Sequence, residues 1–285
     1  MGIGLKSGIS GLFMKYSNVL YEKYLKILKI SKRDPCLSAL TQLVRAHLTT
    51  IPFENISKIY YKKNFGLTDI PDFDLYLEGI SLNNFGGSCY SNNYYLNKLL
   101  NYLGYDVRLC GADMTNPDVH IVNIVNIENK DYLVDVGYAA PFFNPIPLDS
   151  AQEYRINFGP NEYTIIPKND IGYTELKLFR NGKLKHGYIV KPHARSISEF
   201  EKVIKNSFRD TATFLNAILL VRFSSNASIV IHNFSLIETK GIHFKVTKLE
   251  SKAELTEKII THFTISKNVI EESLEIIKNY EDAWN

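Results

Sequence analysis

The chain has 285 residues, of which 45% are hydrophobic and 22% charged, and its formal net charge is +3. This composition is that of an ordinary globular protein, and the length predicts two or three domains with a sizeable core. The small net charge, without a cluster of Lys and Arg, argues against a nucleic-acid-binding protein. No apolar run reaches the length of a membrane-spanning helix.

The cysteines, Cys36, Cys89 and Cys110, are scattered through the chain. This spacing predicts free thiols in a reducing, cytoplasmic environment rather than a disulfide framework. No Cys and His pair has the spacing of a zinc site, so we predict no metal. The glycine-rich start, Met1 to Met14, lacks a convincing signal-peptide cleavage site. We expect an extended leader there, with Met14 as an alternative start.

The N-terminal region is predicted to be helical from about residue 18 to 56, because apolar residues recur there every three or four positions. One such helix face comprises Leu37, Leu40, Val44 and Leu48. Between residues 60 and 84 the pattern breaks at Gly66, Pro71 and Gly79. We therefore expect irregular structure in this stretch.

A helix is predicted to begin at or near Cys89, directly after Gly86 and Gly87. Its apolar face comprises Leu96, Leu99, Leu100 and Leu103. Gly104 follows as a stop signal. The unpaired N–H groups and the dipole of a helix N-terminus favour an anion, and a thiolate is such an anion. A buried structural cysteine is the competing interpretation.

Two predicted strands follow, residues 119–125 and 132–137, and a hairpin between them would bring His120 and Asp135 onto adjacent strands. Cys, His and Asp together make an activated thiol nucleophile. In that arrangement the histidine takes the thiol proton and the aspartate holds the histidine in the required tautomer. Cys89, His120 and Asp135 are therefore candidate catalytic residues.

The remaining chain is first rich in strands and then mixed. Strand patterns continue to about residue 190, with a hairpin signal at Asn181-Gly182, and favour a barrel or a sandwich. A capping box is predicted at Ser196 to Glu199. Further strands are predicted at residues 217–223, 228–232 and 242–249, and helices at 253–263 and 268–277. Histidines without a motif are predicted to lie on the surface or to be hydrogen-bonded: His47, His186, His193, His232, His243 and His262.

Several of these motifs together resemble the arylamine N-acetyltransferase family. The stretch Ile51 to Ile56 is similar to the family's P-F-E-N-L segment. The family's nucleophile pattern, R-G-G-x-C-x-E-x-N, is matched at Gly86, Gly87, Cys89 and Asn93. Its triad histidine and aspartate are matched at His120 and at the segment Asp135 to Tyr138, followed by Pro145 and Pro147-Leu148. The resemblance covers nearly the whole chain.

The resemblance implies an α+β fold with a papain-like cysteine-triad arrangement. A helical domain would occupy residues 1–88, a β-barrel carrying His120 and Asp135 residues 89–192, and an α+β lid residues 193–285. It also implies an aromatic substrate pocket formed by Phe53, Tyr138 and Phe214, for which plain core packing is the alternative.

The sequence departs from the family at several positions. Phe85 stands where the family usually has Arg, Ser91 where it usually has Glu, and Ala139 replaces a usual glycine. The family Arg helps to anchor the P-F-E-N segment, so Glu54 would need another partner or a water molecule.

The implied activity is acetyl transfer from acetyl-CoA, as cosubstrate, to an arylamine, arylhydrazine or arylhydroxylamine. Cys89 would become acetylated, His120 would move the protons and Asp135 would orient His120. Two alternatives remain open at this point. One is a cysteine hydrolase or transglutaminase-like enzyme, and the other is a catalytically weak or silent ligand-binding paralogue. The acceptor, the length of the acyl chain, the coenzyme A contacts and the oligomeric state are left open by the sequence.

Overall fold

The computed structural model describes residues 18–283. The leader expected from Met1 to Met14 lies outside the described residues. Within them, no helix has both the length and the apolar character needed to cross a membrane.

The N-terminal part of the described chain is helical. Its helices are α1 (residues 18–28), α2 (Leu37–Thr50), α3 (Ile56–Phe65), α4 (Phe73–Asn83) and α5 (Cys89–Tyr102). A short strand, β1 (Phe53–Glu54), lies between α2 and α3. The prediction that a helix begins at Cys89 is confirmed, because α5 starts there with Ser88 as its N-cap residue.

The expectation of irregular structure between residues 60 and 84 was wrong. Most of this stretch belongs to α3 and α4; Gly66 and Pro71 mark helix ends, while Gly79 lies inside α4. Gly66 has a left-handed backbone, with φ of 64°, and ends α3. Pro71 directly precedes Asp72, the N-cap residue of α4, while Asn84 ends that helix with φ of 55°. A residue with a left-handed backbone ends each of the two helices, so the chain changes direction there within a short connection.

The central part forms an eight-stranded antiparallel sheet that closes nearly into a barrel. Its strands are β2 (Asp106–Asp113), β3 (His120–Ile127), β4 (Lys130–Val134), β5 (Ile146–Pro147), β6 (Tyr154–Phe158), β7 (Asn161–Ile166), β8 (Thr174–Arg180) and β9 (Lys183–Ala194). The strand order is β5-β4-β3-β2-β9-β8-β7-β6. Cys110 is fully buried in the barrel core.

The C-terminal part combines helices with a second sheet. A 3-10 turn at Ile197–Phe200, whose capping box at Ser196 and Glu199 was predicted, leads into α6 (Glu201–Asn206) and α7 (Thr213–Asn216). Four strands follow: β10 (Leu219–Ser224), β11 (Ala227–His232), β12 (Ser235–Lys240) and β13 (His243–Lys248). The chain continues through α8 (Lys252–Phe263) and α9 (Lys267–Leu274).

This second sheet, which we call the lid sheet, has the order β1-β10-β11-β12-β13. Its first strand comes from the N-terminal part, with Phe53 paired to Val221 and Glu54 to Leu220. The lid sheet therefore connects the N-terminal part of the chain with the C-terminal part through the pairing of β1 with β10. The α+β class predicted from the sequence is confirmed, while the predicted domain limits at residues 88 and 192 stay a prediction.

His47 contradicts the expectation that the histidines without a motif lie on the surface or are hydrogen-bonded. It is fully buried in α2, and neither ring nitrogen has a hydrogen-bond partner among the described residues. Burial without a partner disfavours the charged ring and lowers the pKa of His47 to about 3.

His47 should make the protein sensitive to acid. Its pKa is lower in the folded chain than in the unfolded chain, so the unfolded chain binds the additional proton between pH 6.5 and 3 and stability falls as the pH falls. The free energy of unfolding should drop between pH 7 and pH 5 by about 2 kcal/mol more in the parent than in His47→Leu. Urea titrations at both pH values measure this difference. The exposed His243→Leu serves as control, and equal drops in parent and His47→Leu would contradict the account.

Candidate active site

The fold brings the predicted Cys89, His120 and Asp135 together. Cys89 is the first residue of α5, His120 is the first residue of β3, and Asp135 directly follows β4. Antiparallel pairing of β3 with β4 places the start of one strand beside the end of the other. His120 Nε2 lies 2.8 Å from Asp135 Oδ2, and the His120 ring also interacts electrostatically with the neighbouring Cys89 side chain. Because Nε2 faces Asp135, Nδ1 is the ring nitrogen left for Cys89.

Asp135 is buried and held by four hydrogen bonds. Oδ1 accepts from Asn93 Nδ2 and from the Gly137 N–H, each at 2.8 Å. Oδ2 accepts from the Tyr188 hydroxyl at 2.8 Å and faces His120. Burial alone would raise the pKa of Asp135, but the charge and hydrogen bond of His120, together with the other donors, lower it below its usual value. The carboxylate is therefore ionised and fixed in orientation.

The surroundings of His120 favour the protonated form of its ring, so the ring can hold a proton that it receives. Burial by itself would lower its pKa, but the charge and hydrogen bond of Asp135, with a smaller contribution from Cys89, raise it to about 10. A histidine that can hold the proton of a neighbouring thiol makes that sulfur a nucleophile. The arrangement can therefore support nucleophilic attack by the Cys89 sulfur, with His120 transferring protons and Asp135 supporting His120.

Two glycines permit the close backbone contacts around Cys89. A Cβ atom on Gly137 would lie 2.6 Å from the Cα atom of Cys89, and one on Gly86 would lie 1.8 Å from the carbonyl oxygen of Pro52. Both distances are far inside van der Waals contact. The loop after β4 and the segment before α5 therefore pack against their neighbours only because these positions carry no side chain.

A cavity of about 220 Å³ opens onto the two reacting side chains. Cys89 and His120 line it, and so do the three aromatic residues predicted as a substrate pocket: Phe53, Tyr138 and Phe214. The rings of Phe53 and Phe214 meet edge to face, with centroids 5.9 Å apart. The cavity is concave and mainly apolar beside a nucleophile, as small-molecule sites usually are.

The N-acetyltransferase family profile matches residues 36–270 of this chain. The chain belongs to the arylamine N-acetyltransferase family. The family consists of acyltransferase enzymes, and the Cys89, His120 and Asp135 arrangement lies within the matched residues.

Similar proteins include relatives that are named for different activities. The chain is 31% identical over 123 residues to proansamycin X synthase of Amycolatopsis mediterranei, covering 40% of this chain and 46% of that protein. It is 30% identical over 157 residues to an arylamine N-acetyltransferase of Gallus gallus, the pineal gland isozyme NAT-10, covering 52% of each. The chain thus spans about half the length of the curated relatives it matches.

Solved arylamine N-acetyltransferase structures share the fold. The enzyme of Mycobacterium marinum in complex with CoA superposes with a TM-score of 0.76 and 19% identity, over 90% of this chain and all of the other. At this identity the likeness shows the fold alone.

Phe85, where the family usually has Arg, is buried among aromatic rings. Its ring meets that of Tyr61 edge to face, with centroids 5.6 Å apart. The buried Glu54 is held instead by backbone donors: Oε2 accepts from the Ser57 N–H at 2.8 Å and Oε1 from the Gly86 N–H at 3.0 Å. Burial raises the pKa of Glu54. Backbone N–H groups thus supply the partner that the sequence left unassigned.

Lys58 is a site neighbour that the sequence did not reveal. The side chain is buried, and its ammonium donates to Ser207 Oγ at 2.8 Å and lies 4.2 Å from the centroid of the Phe208 ring. Burial lowers the pKa of Lys58 to about 7, while the nearby Cys89 acts in the opposite direction. Since lysines in a polar helix usually face water, only the packing of α3 against the segment at residues 207–208 could identify this cation.

Within the part of the chain that the structure describes, no group of three or more His, Cys, Asp or Glu side chains could hold a metal ion. Cys36, Cys89 and Cys110 are free thiols.

Proposed function

We propose that this protein transfers an acyl group, acetyl in the simplest case, from a coenzyme A thioester to an arylamine, arylhydrazine or arylhydroxylamine. Cys89 carries the acyl group between donor and acceptor. The observation that supports this most strongly is that the buried Cys89 lies beside the hydrogen-bonded pair of His120 and Asp135, while Cys89 and His120 line a mainly apolar cavity.

In the first half-reaction the Cys89 sulfur attacks the thioester carbonyl. The thiol proton passes to His120 Nδ1, and the tetrahedral intermediate collapses as the coenzyme A thiol leaves with that proton. The N–H groups of the first turn of α5 have no partner within the helix and can stabilise the oxyanion. Cys89 is left as a thioester and His120 is ready to accept another proton.

In the second half-reaction the amine nitrogen attacks the acyl carbonyl on Cys89. His120 takes a proton from the amine, and the Cys89 sulfur leaves, which regenerates the starting site. Asp135 stabilises the imidazolium in both steps. The flat rings of Phe53, Tyr138 and Phe214 would hold the aromatic acceptor by stacking and by burial of apolar area.

Coenzyme A as the donor's leaving group is supported by family membership and by the solved CoA complex that shares this fold. The two alternatives left by the sequence differ from this proposal at a single step. A hydrolase would pass the acyl group to water, and a silent paralogue would not acylate Cys89. The complete set of hydrogen bonds around Asp135 argues for activity, although Phe85 and Ser91 depart from the family pattern.

Initial-rate kinetics test the proposed function. The concentrations of acetyl-CoA and of an arylamine such as 4-anisidine are varied together while acetylated product and free coenzyme A thiol are measured. We expect parallel double-reciprocal lines, because the first product leaves before the second substrate reacts. Intersecting lines would contradict a covalent intermediate, and coenzyme A release at an unchanged rate without amine would indicate a hydrolase.

A further inference from the structure

The lid sheet carries a straight row of apolar side chains along the cavity. Strand pairing places Phe53 of β1 opposite Val221, Val221 opposite Val230, Val230 opposite Ile237, and Ile237 opposite Val246 of β13. All five side chains line the same cavity as Cys89. We call Phe53, Val221, Val230, Ile237 and Val246 the apolar row.

A second row runs beside the first. Phe223 pairs with Ser228, Ser228 with Thr239, and Thr239 with Phe244, and all four side chains line the cavity. Because they stand two residues away from the apolar row on each strand, they share its face of the sheet. The two rows together form a continuous groove floor across the lid sheet.

The apolar row is much longer than acetyl transfer requires. It crosses four gaps between strands of about 4.8 Å each, which gives a length of about 19 Å. It also leads outward, since the exposed fraction is 7% at Phe53 and 2% at Val221 but 56% at Val246. The groove therefore connects the neighbourhood of Cys89 with the surface at β13, on the length scale of a fatty acyl chain.

The chemistry of the row favours a hydrocarbon occupant. No member of the apolar row has a polar side-chain atom, and the backbone groups of β10, β11 and β12 are used in strand pairing on both edges. The pantetheine arm of coenzyme A carries amide groups, which would lose their water along the apolar row, where only the hydroxyls of Ser228 and Thr239 in the second row offer hydrogen bonds from the groove floor. A methylene chain has no hydrogen bonds with water to lose, and the burial of its apolar surface is favourable.

We propose that the acyl group carried by Cys89 is a medium- to long-chain fatty acyl group, whose tail lies along the apolar row beyond Phe53, from Val221 towards β13, which leaves Phe53 to the aromatic acceptor. This rests on the proposed function, because it assumes that a thioester forms on Cys89. It goes further by naming the donor as a fatty acyl thioester. Acetyl would then be a short substrate that leaves most of the groove unused.

The experiment measures acylation of Cys89 by p-nitrophenyl acetate, butyrate, octanoate, dodecanoate and hexadecanoate, through the release of p-nitrophenol. These esters contain no coenzyme A, so chain length is the only variable. We expect the acylation rate to rise by about two- to fourfold per added methylene until the groove is filled. A rate that is highest for acetate and falls along the series would overturn the proposal.

Two variants test where the acyl tail lies in the groove. Ile237→Trp places a large ring at the fourth of the five positions, about 14 Å from Phe53, and should abolish the gain beyond dodecanoate. Val246→Asp places a charge at the outer end, about 19 Å from Phe53, and should slow hexadecanoate alone. His243→Asp is the matched control, since His243 is exposed on the same strand but outside the cavity lining. Circular dichroism and a urea titration show for each variant that the protein is folded, and a chain-length preference that survives both variants would overturn the proposal.

The remaining outcomes separate this proposal from the one on which it rests. If the two variants raise the KM for acetyl-CoA but leave the ester series unchanged, the row holds the pantetheine arm and the fatty acyl assignment is wrong. If p-nitrophenyl acetate acylates Cys89 without any preference for chain length, only the fatty acyl assignment fails. If no ester acylates Cys89, the proposed function fails as well.

Discussion

Replacing Cys89 with alanine should abolish acyl transfer, with kcat/KM lower by about ten-thousandfold or more. Among the described residues that line the cavity, Cys89 has the only thiol, so the acyl group would have no carrier. The fold should persist, because alanine fits the first position of α5 and removes only one buried sulfur. Steady-state turnover and a urea titration of the same preparation measure both expectations.

The other two cysteines provide matched controls. Cys110→Ala removes a buried thiol from the barrel core, where burial raises the thiol pKa to about 12, and should leave turnover unchanged. Cys36 is partly exposed, and the hydrogen bond with Ser38 lowers its thiol pKa, so it competes for alkylating reagents. Iodoacetamide labelling is therefore best done in a Cys36→Ala background, where Cys89 should react before Cys110. Loss of turnover in Cys110→Ala, or its retention in Cys89→Ala, would contradict the account.

Asp135→Asn should reduce turnover by about a thousandfold to ten-thousandfold while keeping the fold. The amide can still hydrogen-bond to His120, but it holds the wrong tautomer and does not stabilise the imidazolium. The pKa of His120 should fall in this variant, because the charge that raises it is gone. Turnover together with the pH dependence of Cys89 alkylation measures both effects.

Tyr188→Phe is the control for this change. It removes one hydrogen bond to Asp135 but leaves the carboxylate charged and held by Asn93 and Gly137. We expect a loss of about tenfold, the size of one hydrogen bond to a charged group. If Asp135→Asn stays within about threefold of the parent, Asp135 has no part in the chemistry.

Local sequence signals were sufficient to predict the centre of the site. The glycines before Cys89 and the leucine repeat after it define the start of α5 within a single segment. His120 and Asp135 are 15 residues apart on a hairpin, so a local turn is enough to make them neighbours. The aromatic residues that line the cavity were identified by their places in the motifs, although their role in binding stays a prediction.

Contacts between distant segments could not be predicted in the same way. Tyr188 is 53 residues from Asp135 and comes from β9, where nothing in the local pattern distinguishes it from other barrel tyrosines. Lys58 is buried only because α3 packs against residues 207 and 208. β12 was not predicted, because Ser235–Lys240 shows little alternation of apolar and polar residues. Its strand structure depends on pairing with β11 on one edge and β13 on the other. The apolar row depends on the pairing of β12 with β11 and β13, so it could not be predicted from the sequence alone.

The most direct test of the central claim is to mix the protein with acetyl-CoA alone and locate the acyl group by intact-protein and peptide mass spectrometry. The account predicts one acetyl group per chain on Cys89 and its discharge when an arylamine is added. Folded protein with reduced Cys89 that gains no acyl group on that residue, from acetyl-CoA or from a longer acyl-CoA, would contradict it.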